Sequence, residues 1–431
     1  MFTGVNKNVL ALTTILLSAA ACALTYCIGR DLHNKQLGLT AALLLWIWPA
    51  PFVWWSVKIG GNYWLALDAA LMCAWLVVRR RDTPYTVNQA ALIGLSAGIA
   101  WWSNPQVIYV LVPVALTFPR AVVGLRSRVL PALGGFVVGA APWLYINVLF
   151  PLVSLKGNST VSWSQAVDNF GNVFANYLPA LVGFRNPFSQ QNIGGGFGLL
   201  ATYAFLVLVV IGLVKSRERP RVALVGVSLF VLMFSASLLG ASTDRTRYWV
   251  WIGPWIALAV AAAVRAPRPS LRKWTVGATI ATALAVSLTQ IGVSNKGNVA
   301  SPLAPDVPAP LSISPLIDLL DADKVTLAHG DYWLSYRVIF ETHERITLAP
   351  TYTDRNLHYS AAVKRSPTPP PFAFVRSSPT YVDFQKHLNA NGIGFRTTEN
   401  ADYALVFPDR LVDPKPLAEL LKSNEERAQG Q

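Results

Sequence analysis

Apolar runs about as long as a bilayer is thick recur through the first 293 residues and limit what this chain can fold into. Residues 9–28, 37–57, 63–78, 87–102, 107–118, 129–150, 197–214, 222–239, 248–264 and 274–293 are predominantly aliphatic or aromatic. A helix needs roughly 20 such residues to cross the hydrocarbon core. Ten spans are therefore expected, with 107–118 short enough to be re-entrant. Composition agrees: 53% of the 431 residues are hydrophobic and 15 are Trp, whereas 13% are charged. The expected class is an α-helical polytopic membrane protein.

The net charge of +14 raises nucleic acid as a partner, and the distribution of that charge excludes it. Residues 1–293 hold 22 Lys+Arg against 6 Asp+Glu, and residues 294–431 hold 14 against 16. The excess lies wholly in the apolar part, where basic loops set orientation. Sixteen of the 22 fall in alternate connections, at Arg30/Lys35, Arg79/Arg80/Arg81, Arg120/Arg126/Arg128, Lys215/Arg217/Arg219/Arg221 and Arg265/Arg268/Arg272/Lys273. Those connections are cytoplasmic by the positive-inside rule. The other six, Lys7, Lys58, Lys156, Arg185, Arg245 and Arg247, are then outside, together with loop 151–196 and everything after residue 293. This arrangement also places Met1 outside, so a further helix upstream is expected. Cys22, Cys27 and Cys73 all fall within spans and read as small buried hydrophobes. No zinc spacing, Walker loop, GxGxxG or GxSxG pattern occurs. No cofactor is expected, and no motif supports a divalent metal.

Between the second and third spans lies VWWSVKIGGNYWLAL, residues 53–67. Trp54, Trp55, Tyr63 and Trp64 are amphipathic rings expected at headgroup level. Lys58 among them suits an anionic group at the membrane surface, or simply snorkels there. Asn62 stands beside the rings. Asp68 is the one acidic residue well inside a span; it is either functional or hydrogen-bonded to a neighbouring helix. A second outer turn, WWSNPQ at 101–106, sets Asn104 before a helix-opening Pro105. A third, STDRTRYWVWIGPW at 242–255, brings Asp244, Arg245, Arg247 and Tyr248. Two guanidiniums offer fork geometry for phosphate oxygens, or else pair with the acid at a helix start.

Loop 151–196 is too long for a plain connector. Its middle, 163–181, spaces aromatic and aliphatic residues as an amphipathic helix would, and residues 158–160 form a glycosylation sequon. Residues 294–315, rich in Pro, Ser and Ala, read as a linker. From 316 to 431 the runs LIDLLDA, KVTLAHG, YRVIFET, ERITLAP, FAFVR, YVDFQKHLNANG and YALVFP alternate helix-like and strand-like character. They suit a small extracytoplasmic α+β domain. His329, Asp331, Tyr332, Trp333 and Tyr336 gather at one strand end, where a structural role is expected. His343 and His358 show no metal spacing with His329. Residues 417–431 read as a fraying polar helix.

Several patches in order resemble one family. TYCIGRDLHNKQLGLTAALLLWIWP, KIGGNYWLAL, LIGLSAGIAWWSNPQVIYVLVP, APWLYINVLFP, RYWVWIGPWIAL and DYWLSYRVIFETHERITLAP resemble the polytopic GT-C glycosyltransferases. The branch is the one that includes protein O-mannosyltransferases and the aminoarabinose transferase of lipid A. The resemblance implies inverting transfer of a sugar from a polyprenyl-phosphate donor to a glycan, lipid or protein acceptor, on the outer face of a bacterial cytoplasmic membrane. It further implies that Lys58, Arg245 and Arg247 hold the lipid phosphate. Asn62, Tyr63, Trp64, Asn104, Asp244 and Tyr248 would line the sugar and acceptor pocket. Two departures stand out. The family's catalytic acidic motif lies in its first outer loop, and this chain starts at the equivalent of its second helix. Where bacterial members read KARGGY-x-ET, this chain has Gly60 for the arginine and Leu65 for the glutamate. Asp68, three residues on along the same helical face, is the available stand-in for the carboxylate. A non-catalytic protein that binds or moves a polyprenyl-linked glycan is the alternative. A solute transporter suits the chain less, since paired halves with broken helices are missing.

Overall fold

In the computed structural model of the chain, residues 7–56, 61–149, 162–185, 192–215, 224, 227–228, 231, 250–264, 269–296, 300–301, 304–308, 312–351 and 357–414 are described. The chain divides into two compact units, Met1–Val293 and Ser294–Gln431.

The first unit is a helical bundle. Helix α1 (Lys7–Leu32) is followed, after a short turn, by α2 (Lys35–Ile47), where the Asn34 side chain accepts from Leu37 N at 2.9 Å and caps the new helix. Gly29 and Gly38 let the two backbones touch, since a Cβ on Gly29 would lie 2.8 Å from Gly38 Cα. The expected span 37–57 is not one helix. It breaks at Trp48, which is extended, and resumes as α3 (Ala50–Ser56). Pro49 explains the break, because it donates no hydrogen bond and disfavours helical geometry in the residue before it. Next come α4 (Gly61–Arg79) and α5 (Val87–Ser103), the latter opened by a Thr86–Gln89 capping box. Span 107–118 is a 3₁₀ turn, Pro105–Val107, leading into α6 (Ile108–Thr117). Then follow α7 (Pro119–Gly124), α8 (Val129–Gly139) and α9 (Ala141–Leu149). Expected span 129–150 is interrupted at Ala140, where Pro142 withholds the N–H that would bond Val138.

The middle of the long loop is helical as well. It comprises α10 (Trp163–Asn172), a π segment (Val173–Tyr177) and α11 (Leu178–Val182), which ends at Gly183 with φ of 110°. Two side chains fasten its end to the bundle. Trp48 Nε1 donates to Val182 O at 2.9 Å, and Gln290 Nε2 donates to Ala180 O and Arg185 O at 2.8 and 2.6 Å. Helices α12 (Gly195–Lys215), α13 (Gly253–Val264) and α14 (Pro269–Lys296) complete the described bundle. Expected span 222–239 falls almost wholly outside the described residues. Among those described, Asn8–Leu32, Pro119–Gly139 and Ser270–Gly292 are long and apolar enough to cross a membrane; Lys35–Ile47, Pro105–Thr117, Gly195–Ile211 and Val250–Val264 are shorter apolar helices.

The second unit holds a five-stranded sheet in the order β4-β3-β5-β7-β6, with β3 (Leu327–Gly330), β4 (Thr347–Pro350) and β5 (Phe372–Val375) parallel. Strands β6 (Phe395–Glu399) and β7 (Tyr403–Pro408) are antiparallel additions. Along β7 the side chains alternate between two cores. Tyr403 and Leu405 join Leu316, Leu320, Val338 and Leu348 on one face, whereas Ala404 and Val406 join Phe372, Phe384 and Leu388 on the other. Segment YRVIFET lies mostly within the helix Tyr332–Glu341, whose N-terminus is capped by Asp331. Within the stretch expected to be a linker, β1 (Ala300–Ser301) pairs antiparallel with β2 (Ala304–Pro308). The tail 417–431 lies outside the described residues.

Candidate functional site

Tyr63, Trp64 and Asn104 come from two separate turns, and the bundle brings those turns into one cluster. Helix α4 begins at Gly61, so Asn62, Tyr63 and Trp64 occupy its first turn. Asn62 is exposed and Tyr63 half-buried. Trp64 is not the interfacial ring the sequence suggested: it is 1% exposed. Its Nε1 donates to Trp55 O at 3.1 Å, and its ring meets Phe52 edge-on at 4.6 Å. With the indole N–H satisfied by protein, burial of the ring costs no unpaired donor. Trp64 is therefore wall rather than open stacking surface, and it clamps the end of α3 to the start of α4.

Asn104 ends α5 and caps the following turn, its Oδ1 accepting from Gln106 N at 3.0 Å. Gln106 Oε1 accepts from Trp251 Nε1 at 3.2 Å, and the Trp251 ring lies 6.4 Å from that of Tyr63. A continuous path thus runs from the α5–α6 turn, through Trp251 ahead of α13, to the start of α4. Gln106 and Trp251 were not singled out from sequence. A signal was present: a Trp inside an apolar run must find an acceptor for its N–H, and Gln106 is a polar residue just inside the helical start opened by Pro105.

Asp68 stands one helical turn beyond Trp64, about 6 Å further along α4. Both its carboxylate oxygens are buried, with no hydrogen-bond partner among the described residues. Lys58, Asp244, Arg245, Arg247 and Tyr248 lie outside the described residues.

Arg185, one of the six basic residues in the minority connections, sits beside the anchored end of the long loop. Its Nη1 donates to Asn192 Oδ1 at 2.9 Å, and burial lowers its pKa from the ordinary arginine value. In the second unit, the His329 ring stacks on Phe372 at 4.8 Å, and its Nδ1 is buried with no partner among the described residues. Burial, with help from Lys364, pushes its pKa down to about 4. The ring is thus a core group that burial holds neutral. Asp331 spends its carboxylate on the backbone N–H groups of Trp333 and Leu334. Among the described residues no three His, Cys, Asp or Glu side chains are grouped to hold a metal ion.

No protein-family model matches the sequence, and none of the curated proteins does. Among solved structures, the apo crystal structure of ArnT from Cupriavidus metallidurans matches 95% of this chain and 84% of that chain, with a TM-score of 0.57 at 13% identity. At that identity the likeness speaks for architecture alone: this chain shares the fold of ArnT.

Proposed function

We propose that the chain is a membrane glycosyltransferase that moves a sugar from a polyprenyl-phosphate donor to an acceptor on the outer face of a bacterial cytoplasmic membrane. The observation that carries this reading is the GT-C-like fold running over 95% of the chain. The convergence of Tyr63, Asn104 and Trp251 on one cluster supports it. Lys58 stands three residues before Gly61, and Arg247 four before Trp251, so the proposed phosphate ligands border that cluster in sequence.

In the proposed reaction an acceptor hydroxyl oxygen attacks the anomeric carbon. The bond from that carbon to the phosphate oxygen breaks, its electron pair leaves with the polyprenyl phosphate, and the hydroxyl proton passes to a carboxylate. Lys58, Arg245 and Arg247 neutralise the departing phosphate. Asn62, Tyr63, Asn104, Asp244 and Tyr248 face the sugar and acceptor, and Trp64 fixes the wall behind them. Asp68 takes the proton; its unpartnered, buried carboxylate is costly inside a helical bundle, which marks it as the candidate base.

The test uses the full chain in proteoliposomes with undecaprenyl-phosphate hexose and pentose donors carrying a radiolabelled sugar. Lys58→Ala and Arg247→Ala should each weaken donor binding about tenfold or more, the worth of a charge-assisted hydrogen bond. Asp68→Asn should bind donor and fail to transfer. Unchanged donor affinity in both cation variants removes the phosphate assignment. Binding without transfer by the unaltered chain makes it a carrier rather than an enzyme.

A further inference from the structure

We propose that Asn104 and Gln106 form a paired-amide site whose two NH2 groups donate to oxygens of the lipid-linked phosphosugar. The inference rests on the donor class of the preceding section and adds Gln106, which nothing in the sequence marked as a ligand.

One end of each amide is already spoken for. An amide oxygen and nitrogen are hard to tell apart by shape, and only the bonding pattern separates them. Here the pattern is forced. An indole N–H can only donate, so Gln106 must turn its oxygen to Trp251 Nε1, at 3.2 Å. A backbone N–H can only donate, so Asn104 must turn its oxygen to Gln106 N, at 3.0 Å. Each amide oxygen thereby spends one of its two lone pairs inside the protein.

What remains is two NH2 groups, two residues apart on one turn. Both residues are half-buried, and neither nitrogen is among the buried polar atoms that lack a partner. Neither has a described protein acceptor. The turn therefore presents two NH2 donors to its surroundings, while each amide oxygen is held toward its protein donor. That polarity selects for oxygen-rich, acceptor-bearing groups, namely phosphoryl oxygens or the hydroxyl and ring oxygens of a sugar. The Tyr63 and Trp251 rings, 6.4 Å apart, hold the turn against the start of α4. Pro105 adds rigidity, since its fixed φ keeps the amides in register.

Two substitutions separate the donor role from the structural one. Gln106→Glu keeps an oxygen for Trp251, and Asn104→Asp keeps a good helix cap; each replaces the NH2 by a carboxylate oxygen. The measurement is binding of undecaprenyl phosphate and of undecaprenyl-phosphoryl hexose to the full chain in nanodiscs, with thermal unfolding alongside. Each variant should unfold near the temperature of the unaltered chain and bind the glycosylated probe about tenfold or more weakly. If the sugar-free probe weakens equally, the amides hold the phosphate; if it does not, they hold the sugar. An unaltered chain that binds, with both variants binding equally well, overturns the paired-amide site and leaves the glycosyltransferase reading standing. An unaltered chain that binds neither probe overturns that reading, and this inference with it.

Discussion

Trp64, Trp251 and His329 show how much a single residue's meaning depends on where its polar atoms go. Both indoles were read as, or passed over among, membrane-interface rings, yet each is 1% exposed and donates its N–H inside the bundle. Composition marks such a Trp as amphipathic; only the position of an acceptor decides whether it faces headgroups or core. His329 supports a prediction. It is 6% exposed, and its folded pKa is pushed down to about 4 from 6.5. The unfolded chain therefore binds a proton that the folded unit refuses. Stability of the sheet unit should be full above about pH 6.5 and fall as pH drops from there toward about 4, with no further loss from this group below. The limit is on the order of 3 kcal/mol, at 1.36 kcal/mol per pKa unit. Chemical denaturation across that window checks it, and His329→Phe should flatten the slope. From sequence a structural role was expected of His329 as an isolated loop histidine. Its stacking on Phe372 was not, because the two meet only when β3 and β5 pair.

Among the described residues helices stand where apolar runs lie, but several of those runs are broken. Apolar periodicity reports that a segment is buried; it does not report that one helix runs unbroken through it. Pro49 and Pro142 each sat inside a run read as a single span, and each stands where the helix stops or restarts. Small residues join two of the helices. Helix α5 carries Gly94 and Gly98, and α8 carries Gly135 and Gly139, both at four-residue spacing. A Cβ on Gly94 would meet Ala132 O, on Gly98 Phe136 O, on Gly135 Ala91 O and on Gly139 Leu95 O. The two helices interlock backbone to backbone, the arrangement in which small residues bring membrane helices together. Gly98→Leu should lower stability by about 1–3 kcal/mol, the usual cost of overpacking. Unfolding in mild detergent measures it; an unchanged midpoint would show that α5 and α8 part at little cost. The long-loop helix confirms the amphipathic pattern read from 163–181. Trp163, Val167, Phe170 and Phe174 are 75%, 55%, 38% and 40% exposed, at spacings of four, three and four that share one helical face. An outward apolar stripe of this kind suits a bilayer interface.

For the whole molecule, the division into a helical bundle and a mixed sheet unit follows from a change in period at about residue 300. Before it apolar runs approach bilayer length, and after it short alternating runs are separated by turn residues. The same change tests orientation. Ser127 is exposed among Arg120, Arg126 and Arg128, and Ser377 is exposed in the sheet unit. With each replaced by Cys, a membrane-impermeant maleimide applied to spheroplasts should label Ser377→Cys and spare Ser127→Cys; the reverse pattern inverts the proposed topology. That this chain enters a membrane is legible from residue order, because partition into hydrocarbon depends on the apolar content of each segment separately. The proposed orientation likewise rests on a tally of basic residues in alternate connections. Only the tertiary structure decided which of those segments touch. Gln106 and Trp251 are 145 positions apart, and an apolar helix face carries no mark of the partner it will meet. Lipid and protein present much the same apolar surface to it, so partners are chosen by small residues, caps and single hydrogen bonds that become specific only when the bundle closes.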